Sequence, residues 1–163
     1  MSTEEETSDI TTKRTEHVQS LMDSLRASSP IYGFILPTMT LTSVTRGTVL
    51  TRLVLGPEHL NSRGGLHGAV SATIIDFTTG LAIASWDLRP STGASVDMNI
   101  TYLSAAKQGE VLEVESKADK VGGSLSFVRI TISKVAADGE KTIVTLGQHT
   151  NMAERTRGSL RKR

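Results

Sequence analysis

The length, composition and charge of the chain limit what it can be. It has 163 residues, of which 37% are hydrophobic and 21% charged, a balance typical of one globular domain with a single core. It has no cysteine, which excludes thiolate catalysis, disulfides and cysteine-ligated zinc, and we expect no metal and no cofactor. The net charge of +1 gives nucleic-acid binding little support.

The two ends of the chain carry opposite charge. Residues 1–13 are polar and acidic and predict a flexible arm, whereas residues 153–163 are basic and predict a flexible tail. We interpret the tail either as a targeting signal or phosphate-attracting arm, or as a solvated terminus. Residues 14–152 are assigned to one domain. Because the N-terminus has no apolar signal core and is acidic where an import peptide would be basic, we expect an intracellular protein, with the cytoplasm favoured and mitochondria left open.

Apolar spacing predicts two helices and one strand in the first half of the chain. Residues 13–27 have apolar positions at helical spacing and predict a short amphipathic helix. Residues 47–55 alternate between the two faces of a strand, which ends before Gly56 and Pro57. Residues 67–85 carry apolar side chains every three or four positions and predict a helix buried on most sides. Its aspartate and hydroxyl side chains make it a poor membrane span.

The second half of the chain predicts four consecutive strands. All four segments are rich in Val, Ile, Thr and Leu: residues 94–103, 110–121, 124–135 and 141–152. The dipeptides Gly122-Gly123 and Asp138-Gly139 lie between them and are typical of tight hairpins with positive φ, so we expect an antiparallel meander. One strand, a long helix and this meander predict an α+β fold in which the sheet curls around the buried helix.

A glycine-rich loop, residues 61–66, stands directly before His67 and the buried helix. The first N–H groups of a helix have no intrahelical partner, and the helix dipole adds about half a positive charge there. A thioester carbonyl that becomes an oxyanion on attack would be stabilised at this place. Gly68 is the natural donor, because glycine allows a substrate to approach the backbone closely. The alternative is a plain helix start with no catalytic role.

Asp76 is a carboxylate within the apolar helix, where a charge is costly unless it is paired or used. Two non-catalytic explanations are open: Asp76 lies on a locally solvent-exposed face of the helix, or hydroxyl groups such as that of Thr79 form hydrogen bonds with it. Asp76 follows His67 by nine residues, which places the two on opposite helix faces about 13 Å apart. One chain therefore cannot build a site from both, but two such helices packed antiparallel around a two-fold axis give two composite sites. The carboxylate would activate water or attack a thioester directly.

Three further polar residues are candidates for supporting roles. Ser95 opens the strand after the helix, where its hydroxyl would orient Asp76 or the attacking water, unless it is simply solvated. Asn61 would position the water or cap the loop by bonding its backbone. His67 would orient the loop without transferring protons. Spacing gives no carboxylate partner to two other histidines, which we expect on the surface or satisfied in the core: His59 and His149.

These motifs carry a family resemblance. Residues 61–76 and 95–107, the second run beginning Ser-Val-Asp-Met-Asn-Ile-Thr-Tyr, closely resemble the hotdog-fold acyl-CoA thioesterases of the phenylacetyl-CoA and 4-hydroxybenzoyl-CoA thioesterase type. The similarity extends over residues 47–150. It implies the hotdog fold, an antiparallel sheet wrapped around a long central helix. It also implies hydrolysis of an acyl-CoA, of medium- or long-chain fatty type, to the free acid and coenzyme A.

The resemblance also assigns roles to residues. In the family, the pair matching His67 and Gly68 provides the oxyanion contact, and the aspartate matching Asp76 acts as base or nucleophile from the neighbouring subunit. The residues matching Asn61 and Ser95 place the attacking water and support the aspartate. A homodimer or homotetramer is implied. Coenzyme A takes part as a portion of the substrate, with no separate cofactor.

The resemblance implies a coenzyme A channel as well. Its lining residues would be Tyr102, Leu103, Ser104, Lys107, Lys120, Gly122, Gly123, Ser124 and Leu125. The two lysines would be available to the phosphates of coenzyme A. One position departs from the family pattern, because Ala69 stands where the family usually has a second glycine. Its methyl group would tighten the contact of the helix with its partner or narrow the acyl entrance.

Two other functions are kept as alternatives. A hotdog hydratase or dehydratase uses a histidine and a carboxylate near a helix in the same fold, but the spacing found here argues against it. A non-catalytic acyl-CoA-binding module would keep the pocket without hydrolysis, and the intact Asp76 argues against that function.

Overall fold

The structure is a computed structural model that describes the backbone of residues 3–153 and the side chains of residues 9–153. The predicted basic tail, residues 153–163, lies outside the described residues apart from Ala153. The described elements are α1 (Thr3–Ser28), α2 (Pro30–Ile35), β1 (Thr40–Thr45), β2 (Thr48–Val54), α3 (Gly68–Asp87), β3 (Ala94–Tyr102), β4 (Val111–Val121), β5 (Leu125–Val135) and β6 (Lys141–Met152). A 3-10 turn at Pro57–His59 leads toward the loop before α3.

The six strands form one antiparallel sheet in the order β1-β2-β4-β5-β6-β3. The sheet wraps around α3, and α1 and α2 pack beside that helix. The predicted α+β fold, with an antiparallel sheet curled around a long central helix, is therefore confirmed. The buried helix and the five predicted strands lie within two residues of their predicted bounds.

The predicted order of the last four strands is wrong. β3 pairs with β6 and not with β4, so it lies at the edge of the sheet. The segment after β3 crosses the end of the sheet, where the N–H of Leu103 donates to the carbonyl of Val144. This segment has no tight-turn dipeptide, and pairing with a distant strand leaves no local signal in the sequence.

Two short elements and one turn also differ from the sequence-based expectation. The apolar patterns do not predict α2 or β1, because each is only six residues long. Gly139 has the expected positive φ, at 87°, but Gly122 and Gly123 do not. The β4–β5 turn closes instead with the N–H of Gly122 donating to the carbonyl of Leu125 at 3.0 Å.

Helix α1 is longer than predicted, because it begins at Thr3. The predicted flexible arm, residues 1–13, is therefore helical from its third residue onward. The apolar periodicity marks only the part of the helix that packs on the core. The polar part continues the helix with local pairs such as Lys13 to Asp9, at 2.6 Å. Whether this part moves in solution stays a prediction.

Helix α3 forms the centre of the core. Ile74, Phe77 and Leu81 are at most 1% exposed and pack with the inner side chains of the sheet. The length and hydropathy of α3 would suffice to cross a membrane, but 72% of its apolar window is buried inside the domain, as in the core helix of a globular protein. The sheet approaches closely, since a methyl group on Gly147 would stand 2.7 Å from the Cδ1 of Ile75.

The sheet leaves one face of α3 uncovered. Ala69, Thr73 and Asp76 recur at three- and four-residue spacing on this face, and all three are at least partly exposed. β3 runs beside it as an edge strand that, among residues 3–153, pairs only with β6, and seven of its nine residues are exposed. An unpaired edge of this length is a surface that proteins usually cover.

A substitution at Gly47 tests the packing of the β1–β2 turn on α3. Gly47 has a φ of 77°, and a methyl group there would stand 2.6 Å from the Cε3 of Trp86. We expect Gly47→Ala to lower the free energy of unfolding by about 3 kcal/mol, because the left-handed backbone and the overpacking both disfavour alanine. Gly139→Ala is the matched control, since Gly139 also has a positive φ but nothing within 4 Å, and it should lose about 1 kcal/mol. Urea unfolding measures both losses, and equal values would contradict the packing contact.

Candidate active site

Asn61 holds the glycine-rich loop before α3 in shape. Its Oδ1 accepts hydrogen bonds from the N–H groups of Arg63 and Gly65, at 2.9 and 3.2 Å. Its backbone N–H donates to the carbonyl of Gly65 at 2.8 Å. The Asn61 side chain therefore caps the loop by bonding its backbone, which is the second of the two roles predicted for this residue.

His67 is the N-cap of α3. Its Nδ1 accepts a hydrogen bond from the N–H of Ala69 at 3.0 Å, so the ring orients the first turn of the helix. None of the hydrogen bonds described for residues 3–153 uses the N–H of Gly68. This N–H lies at the positive end of the helix dipole, where it is free to bind a negatively charged oxygen.

A cleft of about 610 Å³ opens beside Gly68. It brings together five of the predicted site residues: Asn61, Gly68, Tyr102, Leu103 and Ser104. The Tyr102 hydroxyl donates to the carbonyl of Gly68 at 3.2 Å, and a methyl group on Gly68 would stand 3.1 Å from that hydroxyl. A side chain at position 68 would therefore crowd the Tyr102 hydroxyl. Ala69 also lines the cleft, so the methyl group that departs from the family pattern faces the candidate site.

Two hydroxyl groups hold the Asp76 carboxylate. The Tyr32 hydroxyl donates to Oδ2 at 2.6 Å, and the Ser95 hydroxyl donates to Oδ1 at 3.1 Å. The structure therefore places Ser95 where its hydroxyl orients Asp76, whereas Thr79 makes no described hydrogen bond to the carboxylate. The Asp76 side chain is less buried than its apolar sequence context suggests, because 38% of it is exposed on the open face of α3.

His149 is a neighbour of Asp76 that the spacing along the chain does not reveal. Its buried ring forms a hydrogen bond from Nδ1 to the Thr79 hydroxyl at 3.0 Å, and its Nε2 lies 4.0 Å from Oδ1 of Asp76. His149 is therefore a core residue, one of the two places expected for it, and the fold gives it a carboxylate neighbour that spacing does not identify. Burial lowers the pKa of His149, although the charges of Asp76 and Asp97 act in the opposite direction. We expect a neutral imidazole at neutral pH.

Tyr32 is a second neighbour of Asp76 without a signal in the sequence. It lies on the short helix α2, 44 residues before Asp76 in the chain. His59, in contrast, is a satisfied core histidine as expected. It is fully buried, its Nδ1 accepts from the N–H of Gly56 at 2.8 Å, and its Nε2 donates to the carbonyl of Ile35 at 2.7 Å.

One chain carries the two parts of the candidate site at separate places. Gly68 opens α3, and Asp76 follows eight residues later, about 12 Å along the helix axis. Opposite ends of β3 contact them, since Tyr102 bonds to Gly68 and Ser95 bonds to Asp76. A single copy of the chain does not bring the free N–H and the carboxylate together.

The other residues predicted to bind coenzyme A lie outside the cleft of their own chain. Lys107 forms an isolated β-bridge with Gly65 of the loop, so it lies next to the cleft. The remaining five occupy the β4–β5 turn and the strand ends that flank it: Lys120, Gly122, Gly123, Ser124 and Leu125. Within one chain, the residues of the predicted channel therefore lie in two separate regions.

Comparison with known proteins identifies a family model, a relative and solved structures that are similar to this chain. The thioesterase superfamily model matches residues 63–137. The chain is 33% identical to acyl-coenzyme A thioesterase 13 of Homo sapiens, over 83% of this chain and 96% of that protein. The crystal structure of zebra fish thioesterase superfamily member 2 covers 83% of this chain and 94% of its own, with 32% identity and a TM-score of 0.73. A hypothetical thioesterase from Streptococcus pneumoniae, solved with coenzyme A, shares the fold at 21% identity, 76% and 94% coverage and a TM-score of 0.64.

The curled sheet around α3 and these similarities define a hotdog-fold enzyme. The chain belongs to the thioesterase superfamily, and it is a thioester hydrolase. The family resemblance carried by residues 61–76 and 95–107 is thereby confirmed, and the similarity to the human relative extends well beyond those two segments.

His67→Ala should remove the N-cap of α3 and lower the free energy of unfolding by about 1 kcal/mol. His67→Asn is the matched variant, because asparagine also caps a helix well, and it should keep most of this stability. If His67 only orients the loop, His67→Asn also keeps thioester hydrolysis close to the rate of the original enzyme. Urea unfolding and a thiol-release assay measure the two properties. A stable but inactive His67→Asn enzyme would show that the ring itself takes part in the chemistry.

Proposed function

We propose that the enzyme hydrolyses an acyl-CoA to the free acid and coenzyme A, with medium- and long-chain fatty acyl groups as substrates. The observation that carries the proposal is the pair of groups on α3: a free N–H at Gly68 and a carboxylate at Asp76 held by two hydroxyls. The name of the human relative supports coenzyme A as the thiol portion. The cleft of about 610 Å³ lies within the size range of small-molecule sites.

Two copies of the chain would complete the site. In the proposed assembly the β3 strands of two copies pair antiparallel at a two-fold axis, and the open faces of α3 meet. The unpaired edge of β3 and the 38% exposure of Asp76 support this arrangement. An antiparallel pairing sets the Tyr102 end of one strand beside the Ser95 end of the other. Each site then takes Gly68 from one subunit and Asp76 from its partner, in a homodimer or in a homotetramer of two such dimers.

The same pairing would unite the two regions of the coenzyme A channel. Leu125 pairs with Met152, which in turn pairs with Ala94, so the β4–β5 turn lies at the Ser95 end of β3. In the proposed dimer this turn faces the cleft of the partner subunit. The channel would therefore combine residues 102–107 of one subunit with residues 120–125 of the other, and a lysine from each side would bind the phosphates.

In the proposed reaction the thioester carbonyl oxygen lies at the N–H of Gly68. Asp76 from the other subunit accepts a proton from water as that water attacks the carbonyl carbon. The N–H and the dipole of α3 stabilise the negative charge that develops on the oxygen. When the tetrahedral intermediate collapses, the C–S bond breaks and the proton passes from Asp76 to the leaving thiolate. Direct attack by the carboxylate, through an anhydride that water then hydrolyses, is the second route open to the same residues.

Asp76→Asn should lower kcat for acyl-CoA hydrolysis by roughly 10²- to 10⁴-fold, because the amide keeps the shape of the side chain but cannot accept the proton. Asp87→Asn is the matched control, since Asp87 lies at the other end of α3 and pairs with Arg89 at 2.6 Å. Its activity should stay near that of the original enzyme. A thiol-release assay over a series of acyl chain lengths measures both variants and gives the acyl preference. Full activity of Asp76→Asn would refute the proposed mechanism.

Mixed dimers test the shared site directly. Gly68→Val should be inactive, because its side chain would collide with Tyr102, and Asp76→Asn should be inactive for lack of the base. A dimer of one subunit of each kind contains one site with both groups intact. Random mixing of the two unfolded and refolded variants should therefore restore about one quarter of the original activity. No restoration, with mixed dimers demonstrated by affinity tags, would mean that each chain carries a complete site.

A further inference from the structure

Tyr32 makes the shortest hydrogen bond to Asp76, although it lies outside the two segments that carry the family resemblance. Its hydroxyl lies 2.6 Å from Oδ2, compared with 3.1 Å between the Ser95 hydroxyl and Oδ1. A hydrogen bond to an ionised carboxylate at this length is of the strong, charge-assisted kind. The Tyr32 ring packs against Phe77, the residue after Asp76 in α3, with ring centroids 5.0 Å apart.

Contacts on both sides of α2 hold Tyr32 in place. The guanidinium of Arg26 in α1 donates to two carbonyl groups just after α2, at 3.0 and 3.1 Å. The buried ring of His59 donates to the carbonyl of Ile35, the last residue of α2, at 2.7 Å. Pro30 in the first turn fixes the backbone at the other end. The phenol and the carboxylate therefore meet in a single, supported geometry.

Three elements present titratable or hydrogen-bonding groups to Asp76 among the described residues. α2 presents Tyr32, β3 presents Ser95, and β6 presents His149, which also lies within the field of Asp97. Because burial lowers the pKa of His149, its ring is neutral at neutral pH. Burial, followed by the hydrogen bond to Asp76, raises the pKa of Tyr32, so the phenol keeps its proton and remains a donor.

We propose that Tyr32 is a positioning residue that fixes the orientation of the Asp76 carboxylate. The inference rests on the proposed function, in which Asp76 is the base. A carboxylate held at both oxygens keeps one orientation toward the attacking water. Tyr32 itself contacts no reacting atom and acts through Asp76.

Tyr32→Phe removes the hydroxyl and keeps the ring against Phe77. We expect kcat for acyl-CoA hydrolysis to fall about tenfold with little change in KM. Thr78→Val is the matched control, because the Thr78 hydroxyl donates to the carbonyl of Ile74 and not to Asp76. Its kcat and KM should stay near those of the original enzyme, whatever the loss of stability.

Fluorinated tyrosine at position 32 provides a second perturbation. Site-specific 3,5-difluorotyrosine keeps the ring but makes the phenol a stronger donor, so kcat should change while KM stays the same, a change that a purely structural role would not produce. If circular dichroism shows that Tyr32→Phe does not fold, the fluorinated enzyme alone tests the role of Tyr32. If a substitution at Tyr32 gives a folded enzyme with unchanged kcat, the role of Tyr32 is overturned and the proposed function is left intact. An original enzyme that releases no thiol from any acyl-CoA would overturn both.

Discussion

The burial of α3 is the constraint on which the rest of the structure depends. One sheet can cover an apolar helix of twenty residues only by curling around it, as the six strands do. Because the sheet ends at β3, one face of the helix and its N-terminus stay uncovered. The free N–H of Gly68 and the carboxylate of Asp76 lie at these two uncovered places. The packing that stabilises the domain therefore also leaves accessible the two groups on which the proposed reaction depends.

The sequence predicts the parts of the fold that depend on local periodicity. α3 follows from apolar residues at helical spacing, and β4 to β6 follow from runs of β-branched side chains, because each signal is contained in its own segment. The edge position of β3 could not be predicted in this way, since its pairing joins residues as distant as Ser95 and Asn151. α1 exceeds its apolar stripe because local polar pairs extend a helix beyond the part that packs.

The residues of the candidate site fall into the same two groups: those that one local segment of the sequence reveals and those that only the fold brings together. Asn61, His67 and Gly68 lie in one continuous segment, so the order of residues alone indicates a shaped loop and a free N–H at the helix start. Tyr32 and His149 reach Asp76 from α2 and β6, and only the folded chain brings them there. The sequence left a solvent-exposed face open as an alternative for Asp76, and the end of the sheet at β3 decides that exposure.

Helix α2 contacts both halves of this chemistry. Through Tyr32 it holds Asp76, and through the carbonyl of Ile35 it holds His59, whose own carbonyl accepts the N–H of His67 at 2.8 Å. In the proposed dimer these two halves serve different reaction centres. A six-residue segment of one subunit is then a common support for two catalytic events on opposite sides of the symmetry axis. In that dimer, any change that displaces this segment would slow both centres together, so neither could be tuned through it alone.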